Sequence, residues 1–140
     1  MMLLVRRKML KAEGYITFGL VVLIWIIQIL HYPSFRFIDK SSFREFCLFH
    51  QNRITYIVMP LMVGELILSL YRAFHMRSFL SYLNLSIVIL IWLSTAFIQV
   101  PIHQKLTQDF SPELVNDLVQ TNWLRTILWS FKFILFLVLL

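Results

Sequence analysis

FLSYLNLSIVILIWLSTAFIQV, residues 79–100, decides the class of protein. It holds no charged residue, and its length matches the roughly 20 apolar residues needed to cross a hydrocarbon core. Working outward, three further runs of similar character stand at about 15–31, 53–71 and 122–140. The composition agrees: 59% of the chain is hydrophobic and 14% charged, whereas soluble domains hold about 45–50% apolar and about 25% charged residues. The expectation is an all-α, integral membrane four-helix bundle, with residues 1–140 forming one transmembrane domain.

The formal charge of +6 raises the question of nucleic acid. The basic residues lie beside apolar runs and form no stripe, so they read as flanking charges that orient helices in a bilayer. Lipid, not nucleic acid, is the expected partner. The single cysteine, Cys47, excludes an intrachain disulfide and a cysteine-only metal site. Three glycines cannot supply a phosphate loop or a dinucleotide fingerprint.

MMLLVRRKMLK opens the chain with a basic cluster. The apolar stretch behind it exceeds a usual signal-peptide core and lacks an A-x-A-like site, so a retained first helix is expected. Arg6, Arg7, Lys8 and Lys11 join Arg72 and Arg77 on one side of the membrane. Arg36, Lys40, Arg44, Arg53 and Lys105 lie on the other, mixed with acids. The dense N-terminal cluster predicts both termini in the cytoplasm of a bacterial inner-membrane, multi-pass protein. Ser42-Phe43-Arg44-Glu45 fits a capping box that starts the second helix near Phe43. Ser111-Pro112-Glu113 reads as a helix start with proline in the first position.

Charges inside the apolar runs need partners or an aqueous cavity, since each costs about 2.5–3.5 kcal/mol at mid-bilayer on insertion scales. Glu65 on the second helix and Lys132 on the fourth lie deep. At 1.5 Å per residue, Glu65 is about 18 Å along from Arg53 and Lys132 about 15 Å along from Asn122. The two helices run in the same direction, so a structural ion pair between them is expected. Nearer the outer end, Asn122, Arg125, Trp129 and Lys132 share one helix face. Gln28 and His31 share a face on the first helix, as do Gln99 and His103 on the third, where Pro101 is expected to end or bend the helix. His50 completes a set in which each helix contributes a polar side chain at one level.

His31, His50, His103, Asn122 and Arg125 are therefore the candidate site. Three neutral imidazoles from His31, His50 and His103 suit a metal ion, and two at matched depth suit a haem. Without any cofactor, a histidine base with Arg125 and Asn122 holding an enolate or phenolate oxygen is the third option. Against all of these stands the plain reading, in which histidines sit at the interface and amides bond across helices. In that case Trp123, Trp129, Tyr32 and Tyr56 form an aromatic belt.

FIQVPIHQKL and LVQTNWLRT resemble the pattern in small four-helix membrane proteins related to anthrone oxygenases, through Pro101, His103, Leu106, Asn122, Trp123 and Arg125. QILHYPSF, FREFCLFHQNR and PLMVGE are similar to a bacterial subgroup of such proteins, through Gln28, His31, Pro33, Phe35, His50, Pro60 and Glu65. The resemblance implies a four-helix fold, a polar site clustered at one membrane face, and cofactor-independent oxidation of a phenolic substrate. The expected function is a membrane protein with that polar site, acting as an oxidoreductase on an apolar or phenolic molecule that enters from lipid. The alternative is a scaffold or partner-binding subunit, alone or as an oligomer, whose polar residues only hold helices together.

Overall fold

The computed structural model describes the backbone of residues 2–139 and the side chains of residues 5–138. Four helical rods account for almost all of it, and no strand occurs among the described residues. The first, α1, spans Met2–Ile26 and continues through a π turn at Ile27–His31 and a last turn at Tyr32–Ser34. α2 spans Lys40–Met76. α3 spans Phe79–Ser94, passes through a π turn at Thr95–Gln99 and continues over Val100–Gln108. α4 spans Pro112–Leu139. The connections are short, so consecutive helices are antiparallel. α1 packs on α2, α2 on α3, α3 on α4, and α4 back on α1, closing a ring.

Three of the four helical stretches, Val5–Phe37, Lys40–Met76 and Phe79–Gln108, are long and apolar enough to cross a membrane. Large apolar side chains cover their outer faces, among them Ile29, Ile57, Ile67 and Phe97. A soluble bundle would turn polar residues outward. The outward apolar face is the mark of a membrane protein. α4 presents Ile127, Phe131, Ile134 and Val138 outward in the same way, while its Arg125 and Lys132 turn inward.

Local chemistry explains where the rods begin and bend. α4 starts at Pro112, as its sequence predicts: Ser111 Oγ accepts from the Leu114 amide at 3.2 Å and donates to Glu113 Oε2 at 2.7 Å. That hydroxyl bond holds the Glu113 carboxyl below its ordinary range. The capping box expected at Ser42 is absent. Ser42 lies inside the first turn and donates both its amide (3.1 Å) and its hydroxyl (3.3 Å) to the Asp39 carbonyl. The hydroxyl therefore does not cap, and α2 begins earlier, at Lys40. A two-residue turn, Arg77-Ser78, joins α2 to α3. Arg77 takes the left-handed conformation (φ 45°, ψ 38°) that ends α2, and Ser78 caps α3 by accepting from the Ser81 amide.

Pro101 does not end α3. Proline lacks an amide donor and its ring collides with the carbonyl four residues back. The π turn just before it relieves this by widening the helix, with the Val100 amide bonding the Thr95 carbonyl five residues back. The same device precedes Pro33, where the Tyr32 amide bonds the Ile27 carbonyl. Both bulges lie at the same end of the bundle. They supply Gln28 and His31 on one side, and Thr95 and Gln99 on the other.

Two apolar clusters frame the interior. One lies at the far end of α1 and holds Ile27, Tyr32, Phe35, Phe43, Cys47, Leu106, Val115 and Leu118. The other lies mid-bundle and holds Leu20, Ile24, Met62, Ile87, Ile91 and Trp129. Two polar layers are set against them, and these make the site.

Candidate functional site

The deeper layer is a closed network of charges. Lys132 Nζ lies 3.1 Å from Glu65 Oε1, across the bundle axis from the diagonal helix. It also lies 3.1 Å from Glu13 Oε1 and donates to Thr17 Oγ1 at 2.8 Å. Thr17 donates in turn to Glu65 Oε1 at 2.9 Å, and Trp129 Nε1 donates to Glu65 Oε2 at 3.0 Å. Glu13 takes further bonds from Arg72 (3.1 Å), Ser69 (2.7 Å) and Asn84 (2.7 Å). Two carboxylates thus face two cations, each buried, and every helix contributes. Such a network resists disruption because removing one member strands another in low dielectric. The sequence reading paired Lys132 with Glu65 but missed Glu13, Arg72, Ser69 and Asn84.

Roughly two helical turns away stands the second layer. Here Arg125 is held from several sides. Its Nε donates to Asn122 Oδ1 at 3.0 Å, Nη2 bonds the same oxygen, and Nη1 reaches Thr95 Oγ1 at 3.4 Å. Nη2 also donates to the Tyr32 hydroxyl at 3.3 Å. Asn122 is fixed from behind by donating to Gln28 Oε1 at 2.8 Å, while Gln28 Nε2 donates to the Val119 carbonyl at 3.0 Å. Asn122 thus positions the guanidinium; its own oxygen is fully occupied.

The three expected histidines do come together at this end, but as hydrogen-bonded partners. His31 Nε2 faces His50 Nδ1 at 2.7 Å. Two nitrogens sharing a tetrahedral metal ion would stand roughly 3.4 Å apart, given metal–nitrogen bonds of about 2.0–2.1 Å. His103 Nε2 is taken by the Tyr32 hydroxyl at 3.0 Å. Among the described residues no three histidine, cysteine or acidic side chains are placed to hold a metal ion. His31, His50 and His103 thus meet as hydrogen-bonded rings, with 4.3 Å between the His31 and His50 ring centres.

The aromatic belt divides. Tyr56 and Trp123 are exposed on the outer surface, whereas Tyr32 and Trp129 are buried with their polar atoms in the two layers.

Between the layers lies a cavity of about 390 Å³, within the usual size range of small-molecule sites. Leu20, Ile24, Val58 and Met62 form its apolar walls and Trp129 its floor. Tyr32, Gln51, Thr95, Gln99, His103 and Arg125 bring polar groups to the other end. Thr55 and Met59 on α2 and Val100 and Gln104 on α3 line it too, and all four are exposed on the outer surface. The cavity therefore reaches the outer surface between α2 and α3. Of the five candidate residues, His103 and Arg125 line it; His31, His50 and Asn122 stand behind. Gln51 is a site residue that sequence reasoning missed, while Gln99, expected on one face with His103, and Tyr32, expected in the aromatic belt, join the cavity lining.

Two atoms here are buried without partners: His103 Nδ1 and Gln99 Oε1. Their protonation follows from the bonds around them. In the arrangement where Tyr32 accepts from Arg125 and gives its proton to His103 Nε2, the neutral ring carries its own proton on Nδ1. Thr121 gives its proton to the Asp117 carbonyl at 2.7 Å and must accept from Gln99 Nε2 at 2.9 Å. That fixes the Gln99 amide with its oxygen free. One donor and one acceptor are thus unsatisfied at the polar end of the cavity.

Comparison with protein-family models, curated proteins and solved structures finds no match to this chain.

Proposed function

We propose that this protein binds an apolar or phenolic small molecule that enters from the bilayer between α2 and α3. The observation that carries the reading is the cavity itself: apolar walls, a sideways opening and a polar end with unsatisfied buried groups. Unpaired buried polar atoms cost about 1–3 kcal/mol each. A ligand that bonds either of them recovers part of that cost, which gives the site a reason to exist beyond packing.

The enzymatic form of this proposal is oxidation of the bound phenolic molecule with dioxygen as the electron acceptor, the activity implied by the sequence resemblance, the protein itself supplying the deprotonation. The residues suited to it are Arg125, which stabilises negative charge on a ligand oxygen, and the Tyr32–His103 pair. A proton leaving the ligand can pass to the Tyr32 oxygen as the Tyr32 proton passes to His103 Nε2, 3.0 Å away. The deeper network supports a purely structural role for Glu65 and Lys132, because its charges balance internally. In the scaffold alternative, that role extends to the upper layer as well. The membrane orientation with both termini cytoplasmic, and the crossing of α4 as a fourth span, belong to the same proposal.

Calorimetric titration of 1-naphthol into the protein in mild detergent separates the two readings. The parent is expected to bind with saturation, and Val58→Trp, which fills the cavity, to show only partition into micelles. Identical heats for both proteins would leave the scaffold reading in its place.

A further inference from the structure

The charges buried in the bundle do not cancel. Among the described residues they are Glu13, Glu65, Arg72, Arg125 and Lys132. Four of them form the deeper network, two of each sign. Arg125 is left over. It is 6% exposed, and every hydrogen bond it makes goes to a neutral oxygen, on Asn122, Thr95 or Tyr32. No described carboxylate lies within 4.0 Å of it. Charges in protein interiors are ordinarily paired, because an isolated ion in low dielectric carries a large desolvation cost. Here the unpaired cation lines the wall of a cavity.

A second feature points the same way. The His103 Nδ1 atom is buried and unpartnered, on the same cavity wall, and is a donor in the tautomer whose Nε2 accepts from Tyr32. It belongs to a ring held 3.0 Å from the Tyr32 hydroxyl, which itself lies 3.3 Å from the Arg125 guanidinium. Cation and free donor are thus brought together through one tyrosine, and no acidic side chain lines the cavity with them.

From this we infer that the cavity takes its ligand as an anion: an apolar molecule headed by one oxyanion, carboxylate or phenolate, seated against Arg125 and His103. The inference rests on the cavity binding a small molecule, as proposed above, and adds the charge and chemistry of the head group. A charge-assisted hydrogen bond to a buried guanidinium is directional and strong. The oxyanion neutralises the one unpaired cation, while the apolar body fills the space between Val58, Met62 and Trp129.

The test compares each anion with its own neutral derivative. At about pH 8, where carboxylic acids and acidic phenols are ionised, dodecanoate is titrated against methyl dodecanoate, and pentachlorophenol against its methyl ether. Affinities are referred to the concentration within the micelle. At least one anion is expected to bind the parent about tenfold to a hundredfold more tightly than its neutral partner, as charge-assisted bonds imply. Whichever pair shows the larger ratio identifies the head group as carboxylate or phenolate. Arg125→Gln should abolish the preference, and Arg125→Lys should retain part of it. Equal affinity of anion and neutral partner in the parent overturns the inference and leaves the cavity as a binding site. Absence of binding by all four probes overturns both. A preference undiminished in Arg125→Gln overturns the assignment to Arg125. The parent comparison stands even where a variant fails to fold.

Discussion

Replacing Glu65 with alanine removes one carboxylate from a network in which Lys132, Thr17 and Trp129 all bond it. Glu65 is 1% exposed, so solvent does not take its place. Breaking a buried pair by removing one partner typically costs about 3–5 kcal/mol. Two details set where this substitution falls. Lys132 keeps Glu13 at 3.1 Å, which lowers the cost. Trp129 Nε1 loses its acceptor, which raises it. We expect Glu65→Ala to destabilise by about 3 kcal/mol, and Lys132→Met, which leaves Glu65 without its cation, by a similar amount. The double variant Glu65→Ala with Lys132→Met removes one charge of each sign and leaves Glu13 paired with Arg72. Its cost should therefore be well below the sum of the singles, with a coupling of at least about 2 kcal/mol. Unfolding by sodium dodecyl sulfate in mixed micelles, followed by circular dichroism, measures all three. A Glu65→Ala protein as stable as the parent, or strictly additive singles, would refute the reasoning.

Four further substitutions probe the framework. A Cβ added at Gly14 would overlap the Phe136 ring, whereas one at Gly19 meets nothing within 4 Å. Gly14→Ala should therefore cost about 1–2 kcal/mol through overpacking, while Gly19→Ala should add up to about 1 kcal/mol through helix propensity, both by the same micelle titration. Arg77→Gly should stabilise by about 1 kcal/mol, because only glycine enters the left-handed region freely. Asn122→Ala removes the oxygen that holds Arg125 on two nitrogens; it should cost about 2 kcal/mol and weaken ligand binding together with stability. Unchanged binding in that variant would show that Arg125 holds its place without Asn122.

What the sequence disclosed, and what it did not, follows from the physics of each feature. The helices were legible because apolar length is a local property, and the diagonal approach of Lys132 to Glu65 followed from rise per residue alone. Glu13 and Arg72 were not legible as interior charges. Both lie near helix ends beside Arg6, Arg7, Lys11 and Arg77, where charges ordinarily face water, and only packing turns them inward. The π turns carried a faint signal. Pro33 and Pro101 each follow an apolar helix that has no reason to stop, and a glutamine precedes each, Gln28 by five residues and Gln99 by two. The levels of His31, His50 and His103 could be read from spacing; their hydrogen bonds could not, since ring orientation depends on Tyr32 and on neighbours far along the chain. The cavity is a property of shape and has no signature in the sequence.

The most direct test of the account is to locate a bound molecule. A dodecyl phenol carrying a photoactivatable diazirine on its tail is equilibrated with the protein in bilayer nanodiscs and irradiated, and the labelled peptides are mapped by mass spectrometry. The account predicts labelling concentrated at Ile54, Val58, Met62 and Val100, lost in Val58→Trp and displaced by excess unlabelled phenol. Labels spread evenly over the lipid-facing residues Ile57, Ile67 and Phe131, and unchanged in Val58→Trp, would contradict it.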